Sequence, residues 1–150
     1  MKAILLIGFI FTISYGQHCD KSYSIKIWDA NFSLAYTNLY IITNKSIEIK
    51  RIGGVIGEKD TTLLERKLRD NECEMILDLL DQLNMGKLKS RYSTPLIQDG
   101  NRKKVKIEID KKVKTIEIDN FYQKDLGELF NTINNLIANE NLKLKFRRHP

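Results

Sequence analysis

Two residues in this sequence have a chemistry that can be named before any fold is assumed: Cys19 and Cys73, the only cysteines. In an oxidising compartment an even number of cysteines favours a disulfide. A bridge between them closes a loop of about 55 residues, which the chain-entropy model values at roughly 4 kcal/mol. Cys73 alone could instead be a buried thiol serving as a small apolar residue. Cys19 has no such role open to it, so a Cys19 to Cys73 disulfide is the expectation, and it would pin the N-terminal strand to the first helix.

The other reactive residue types offer less. His18 and His149 are the only histidines and sit near the two ends, whereas a general base or metal ligand needs a fixed position. G-x-S-x-G, H-E-x-x-H, G-x-x-x-x-G-K-S/T and paired C-x-x-C are all absent, so the usual signatures of nucleophilic, zinc and P-loop chemistry are missing. No catalytic residue, metal site or cofactor is assigned. Gly54 and Gly57 have the G-x-x-G spacing of a nucleic-acid clamp. Such a clamp joins two helices; this one follows a strand and reads as an ordinary connection.

Close carboxylates, Glu58 with Asp60 and Glu108 with Asp110, act as acid and base only when their surroundings separate their pKa values. They lie in charged stretches that read as solvated. They keep open a second reading, a carboxylate-dependent hydrolase acting on envelope polymers. Arg102, Lys103, Lys104, Lys106, Lys111, Lys112 and Lys114 could form a patch for an anionic partner. Against this, Lys104 and Lys106 fit the solvent face of an alternating strand, balanced by Glu108, Glu117 and Asp119 and guarding against edge pairing. Nucleic acid is disfavoured because no aromatic ladder accompanies the charge.

The elements that must position these residues follow from periodicity. Tyr23, Ile25 and Ile27 alternate with Ser24, Lys26 and Trp28 as in a half-buried strand. Residues 34–43 and 46–52 read as two more strands around Asn44-Lys45, and 61–68 as a fourth, with a Thr62 to Glu65 capping box as the helical alternative. Asn71 with Glu74 predicts a helix start, and Cys73, Ile76, Leu77, Leu80 and Leu83 share its apolar face before Gly86 ends it. A loop over 92–100 closes on Asp99-Gly100. It leads into a hairpin of Val105, Ile107, Ile109 and then Val113, Ile116, Ile118, whose out-of-phase Val113 calls for a bulge or a skewed turn near 110–112. A second helix follows Asn120, with Leu126, Leu129, Phe130, Ile133 and Ile137 inward and a costly Gly127 inside it. Leu142, Leu144 and Phe146 suggest a last edge strand. Strands in hairpins with two helices and no repeating βαβ unit predict an α+β fold, an antiparallel sheet with two helices packed on one face.

The first 16 residues read as a cleavable signal peptide: Lys2, an uncharged apolar run over 3–13, then Ser14-Tyr15-Gly16 before Gln17. The run is shorter than the roughly 20 residues a bilayer demands, and no later stretch could cross a membrane. Residues 17–150 form one domain. They hold 24 basic and 19 acidic residues, a net charge of +5, which is too mild to name a partner.

The Tyr15-Gly16-Gln17 junction, the helix followed by Tyr92 and Asp99-Gly100, the Lys/Ile/Glu hairpin, Asn120-Phe121-Tyr122 and Asn134-Asn135 resemble small secreted proteins of unknown function from Bacteroidota-type bacteria. The resemblance covers the signal and roughly residues 70–140. It implies a bacterial periplasmic or outer-envelope home and carries no activity. The expectation is thus an exported protein, periplasmic or secreted, that binds another protein without catalysis, as an inhibitor or immunity-like module does.

Overall fold

Strands arise here wherever isoleucine or tyrosine alternates with polar residues. β1 (Tyr23–Ala30), β2 (Tyr36–Thr43), β3 (Ser46–Gly53) and β4 (Thr61–Lys67) form an antiparallel meander. Helix α1 (Asp70–Gln82) follows, then β5 (Arg91–Ser93), β6 (Arg102–Ile109), β7 (Lys112–Asp119) and helix α2 (Lys124–Asn135). β6 returns to the free edge of β1, and the seven strands lie in the order β4-β3-β2-β1-β6-β7-β5. The computed structural model describes residues 19, 21–30, 36–53, 59–94 and 102–146. The signal segment 1–16, His18, His149, Gly54, Gly57, Glu58 and the Asp99-Gly100 turn lie outside them.

Mixed α+β architecture with a mostly antiparallel sheet is as expected, and 61–67 is strand rather than helix. Several local expectations are corrected. Within the expected loop over 92–100, Tyr92 and Ser93 belong to β5, which pairs parallel to β7; three residues are too few to show a period. The hairpin needs no bulge. Its register runs unbroken from Arg102 opposite Asp119 to Ile109 opposite Lys112, closed by Asp110 and Lys111, both at positive φ (49° and 64°), as a two-residue I′ turn requires. Val113, opposite Glu108, simply points outward and is exposed.

α1 begins one residue before Asn71, with Arg69 as its N-cap, and Glu72 rather than Glu74 accepts from the Arg69 amide at 2.9 Å. It ends at Leu83, ahead of Gly86. α2 is capped by Gln123, whose side chain accepts from the Leu126 amide at 2.7 Å. The expected last edge strand is a 3-10 turn, Glu140–Leu142, followed by chain that Asn134 holds in both directions through Leu144 N and O (2.7 and 2.9 Å). A side-chain amide thus does the work of a neighbouring strand. Gly127 earns its place because a Cβ there would lie 2.6 Å from the Tyr122 hydroxyl oxygen.

Register places Tyr23, Ile25 and Ile27 of β1 beside Ile109, Ile107 and Val105 of β6, and beside Ile42 and Tyr40 of β2. Directly opposed residues share a face. These side chains join one buried cluster with Cys73, Ile76 and Leu80 of α1 and Leu126, Leu129, Phe130 and Ile133 of α2. Each fully buried isoleucine is worth about 1.5–3 kcal/mol. Among the described residues no helix is long and apolar enough to cross a membrane.

Candidate functional site

Alternation that buries one face of the sheet leaves the intervening positions to build the other. On that outer face Lys50, Leu39, Trp28, Lys104 and Glu117 stand in one cross-strand row, with Glu48, Ile41, Lys26, Lys106 and Thr115 in the next. Trp28, Leu39 and Ile41 are only half-buried. The Lys104 ammonium lies 5.8 Å from the centre of the Trp28 ring, within range of a cation–π attraction. Lys50 reaches Glu48 at 2.9 Å and Lys106 reaches Glu108 at 3.6 Å. Lys26 and Lys104 have no ion pair among the described residues.

The seven basic residues expected to form an anionic-partner patch are divided by this geometry. Arg102, Lys104 and Lys106 share the outer face, Arg102 with Asp119 at 3.7 Å. Lys111 sits in the hairpin turn, and Lys112 and Lys114 fall on the inner side of β7, opposite Ile109 and Ile107. Lys103 points inward and is only 4% exposed, its Nζ 2.7 Å from Asp29 Oδ1.

Lys103 belongs to a polar row that periodicity alone did not reveal. Arg51, Asn38, Asp29 and Lys103 are successive neighbours across β3, β2, β1 and β6, each in phase with its strand's buried apolar positions. Arg51 stacks on the Tyr36 ring at 4.2 Å. Burial, with the Asp29 charge second, holds the Tyr40 phenol well above its ordinary range, and its hydroxyl donates to Leu142 O at 2.8 Å. Arg51 Nε and Asn38 Oδ1 are buried without a hydrogen-bond partner. The sequence signal was present: a polar residue at an apolar phase near the same end of four strands.

The opposite end is closed by covalent and ionic ties. Cys19 and Cys73 are bridged, their Cα atoms 6.1 Å apart, as expected from the cysteine count. Arg66 of β4 grips Glu72 through both terminal nitrogens (2.8 and 3.1 Å) and also donates to Leu136 O. Arg69 adds a contact at 2.7 Å. The Arg66 hydrogen bonds hold the Glu72 carboxyl down to about 2, against the opposing effect of burial. Lys21 ties Asp81 of α1 (2.6 Å) to Asp110 of the hairpin turn (3.1 Å).

Of the close carboxylate pairs, Glu108 stands exposed on the outer face and Asp110 is engaged by Lys21. Asp60 accepts from the Gly53 amide at 3.3 Å. No group of three His, Cys, Asp or Glu side chains among the described residues could hold a metal ion. The comparisons with known proteins add no identity: no protein-family model matches the chain, and no curated protein matches it in sequence.

Proposed function

We propose that this chain is an exported, non-enzymatic binding module that docks another protein through the outer face of its sheet. In this reading residues 1–16 are removed as a signal peptide. The single domain 17–150 then works in the periplasm or outside the cell, in keeping with its resemblance to secreted Bacteroidota-type proteins and with a disulfide. Both helices cover the inner face, since their buried residues share one cluster with the inward isoleucines, and among the described residues no helix lies on the outer face.

The observation that carries the proposal is the centre of that face: Trp28, Leu39 and Ile41 half-buried, with Lys26 and Lys104 beside them and without an ion pair among the described residues. Tryptophan in a desolvated centre with a charged rim is the anatomy of a protein interface. The lysines select a partner with acidic residues around an apolar ridge. An inhibitor or immunity-like protein needs no more chemistry than that.

The test uses the mature, oxidised protein as bait against the envelope fraction of its source, with a carbodiimide that joins lysines to carboxylates in contact. The wild type and Arg51→Gln should retain one partner, cross-linked through Lys26 or Lys104. Trp28→Ser combined with Lys104→Glu should lose it. Equal capture by the double variant, or cross-links confined to Lys112 and Lys114, would sink the proposal.

A further inference from the structure

We infer that the inward polar row at the end of the sheet formed by Ala30, Tyr36, Gly53 and Arg102 is a binding site for a carboxylate that carries an O–H or N–H donor beside it. Four strands place Arg51, Asn38, Asp29 and Lys103 in line on a face that is otherwise isoleucine, valine and tyrosine. Polar groups on such a face cost stability unless they are paired. The row is only half paired. Asp29 neutralises Lys103 at 2.7 Å, which leaves the Arg51 guanidinium as the charge with no counter-ion among the described residues. The described acids nearest in sequence are engaged elsewhere: Glu48 pairs with Lys50 at 2.9 Å on the outer face, and Asp60 has its Oδ1 on the Gly53 amide.

The two orphan atoms then specify the ligand. Arg51 Nε is a donor and Asn38 Oδ1 an acceptor, both buried and on directly opposed residues. A bare anion satisfies the first and not the second. A neutral amide or alcohol satisfies the second and leaves the cation uncompensated. A carboxylate with an adjacent donor satisfies both, and a guanidinium is the side chain best shaped to hold it. Tyr36, whose ring centre lies 4.2 Å from the Arg51 guanidinium carbon, helps to hold the fork in place. The same chemistry occurs in a free hydroxy acid and at the C-terminus of a peptide, where the last N–H is the donor.

Nitrogen-15 NMR of the oxidised protein reads the site directly through the Arg51 Nε–H and Asn38 side-chain signals. L-lactate represents the free acid and N-acetylglycine the peptide C-terminus; acetate lacks the donor and N-acetylglycinamide lacks the charge. Lactate or N-acetylglycine should shift the Arg51 Nε–H signal saturably, the tighter of the two naming the source. Acetate should bind about tenfold more weakly, one hydrogen bond's worth, and the amide should have no effect. Arg51→Gln, with its remaining amide spectrum unchanged, should abolish the response, and Asn38→Ala should erase the preference over acetate. No saturable shift with either acid, equal binding of acetate, or a response that survives Arg51→Gln would each overturn the inference. The docking variants Trp28→Ser and Lys104→Glu lie on the opposite face and should leave these titrations unchanged.

Discussion

At the end of the sheet where β4 meets α1, Glu72 is buried with two arginines and a backbone amide on its two oxygens. At the other end Lys103 is buried with Asp29 as its one ionic partner among the described residues, and the neighbouring Arg51 and Asn38 keep atoms unused. The first arrangement spends its charges on holding β4, α1 and the end of α2 together. Its own unpaired atom, Tyr23 Oη, is an uncharged hydroxyl. The second holds little together, at the end of the sheet formed by Ala30, Tyr36, Gly53 and Arg102. One protein thus shows buried charge used as a fastener and buried charge left available.

Breaking the fastener should have the largest effect. Replacing Cys19 and Cys73 by Ala frees a loop with a sequence separation of 54, and urea unfolding should show a loss of about 4 kcal/mol. A loss below about 1 kcal/mol would mean that Arg66, Glu72 and Lys21 hold this end unaided.

The available end should respond asymmetrically. Asp29→Asn strands the Lys103 ammonium, whose side chain is 1% exposed, and should cost about 3 kcal/mol. Lys103→Met leaves Asp29, at 16% exposure, able to reach water and should cost roughly 1 kcal/mol. The double variant should recover most of the Asp29→Asn loss. Strict additivity in urea midpoints would show that the two side chains do not interact.

Acid should then separate the two ends by the smallest of the three effects. The folded Glu72 carboxyl lies near 2, below its ordinary 4.5, so its stabilisation is complete above about pH 4.5 and is lost as pH falls toward 2. Part of the grip comes from Arg69, which is 76% exposed and screened by solvent, so about 2 kcal/mol is the expected share. Glu72→Gln should be less stable than wild type at pH 7, with the gap closing by pH 2.5. A gap independent of pH would assign the loss to packing rather than charge.

Much of the fold was legible because period-two alternation needs no knowledge of neighbours: Tyr23, Ile25 and Ile27, or Val105, Ile107 and Ile109, announce their buried face within one strand. The disulfide was legible from the cysteine count. The helix cap was misplaced by two residues, at Asn71 instead of Arg69, because Arg66, on another element, selects Glu72 over Glu74. Val113 misled because valine was assumed to face inward. The polar row stayed hidden for a related reason: Arg51, Asn38, Asp29 and Lys103 are scattered in sequence, and only register makes them neighbours. The outer face was half legible, since Trp28 was already placed opposite the buried positions, but its companions Leu39 and Ile41 come from a different strand.

The position of β1 has a consequence for how the chain assembles. It is the middle strand of the sheet and the first in sequence. A chain emerging N-terminus first can complete the β1 to β4 meander, with its short-range contacts, and pair Cys19 with Cys73 while β6 has yet to appear. Through that interval the unclaimed backbone of β1 is a bare edge on a half-built sheet, open to a second copy as readily as to its own β6. The strand most deeply enclosed at the end of folding is therefore the one most exposed to mispairing at its start, and recovery of correctly folded material should fall as the concentration of newly emerging chains rises.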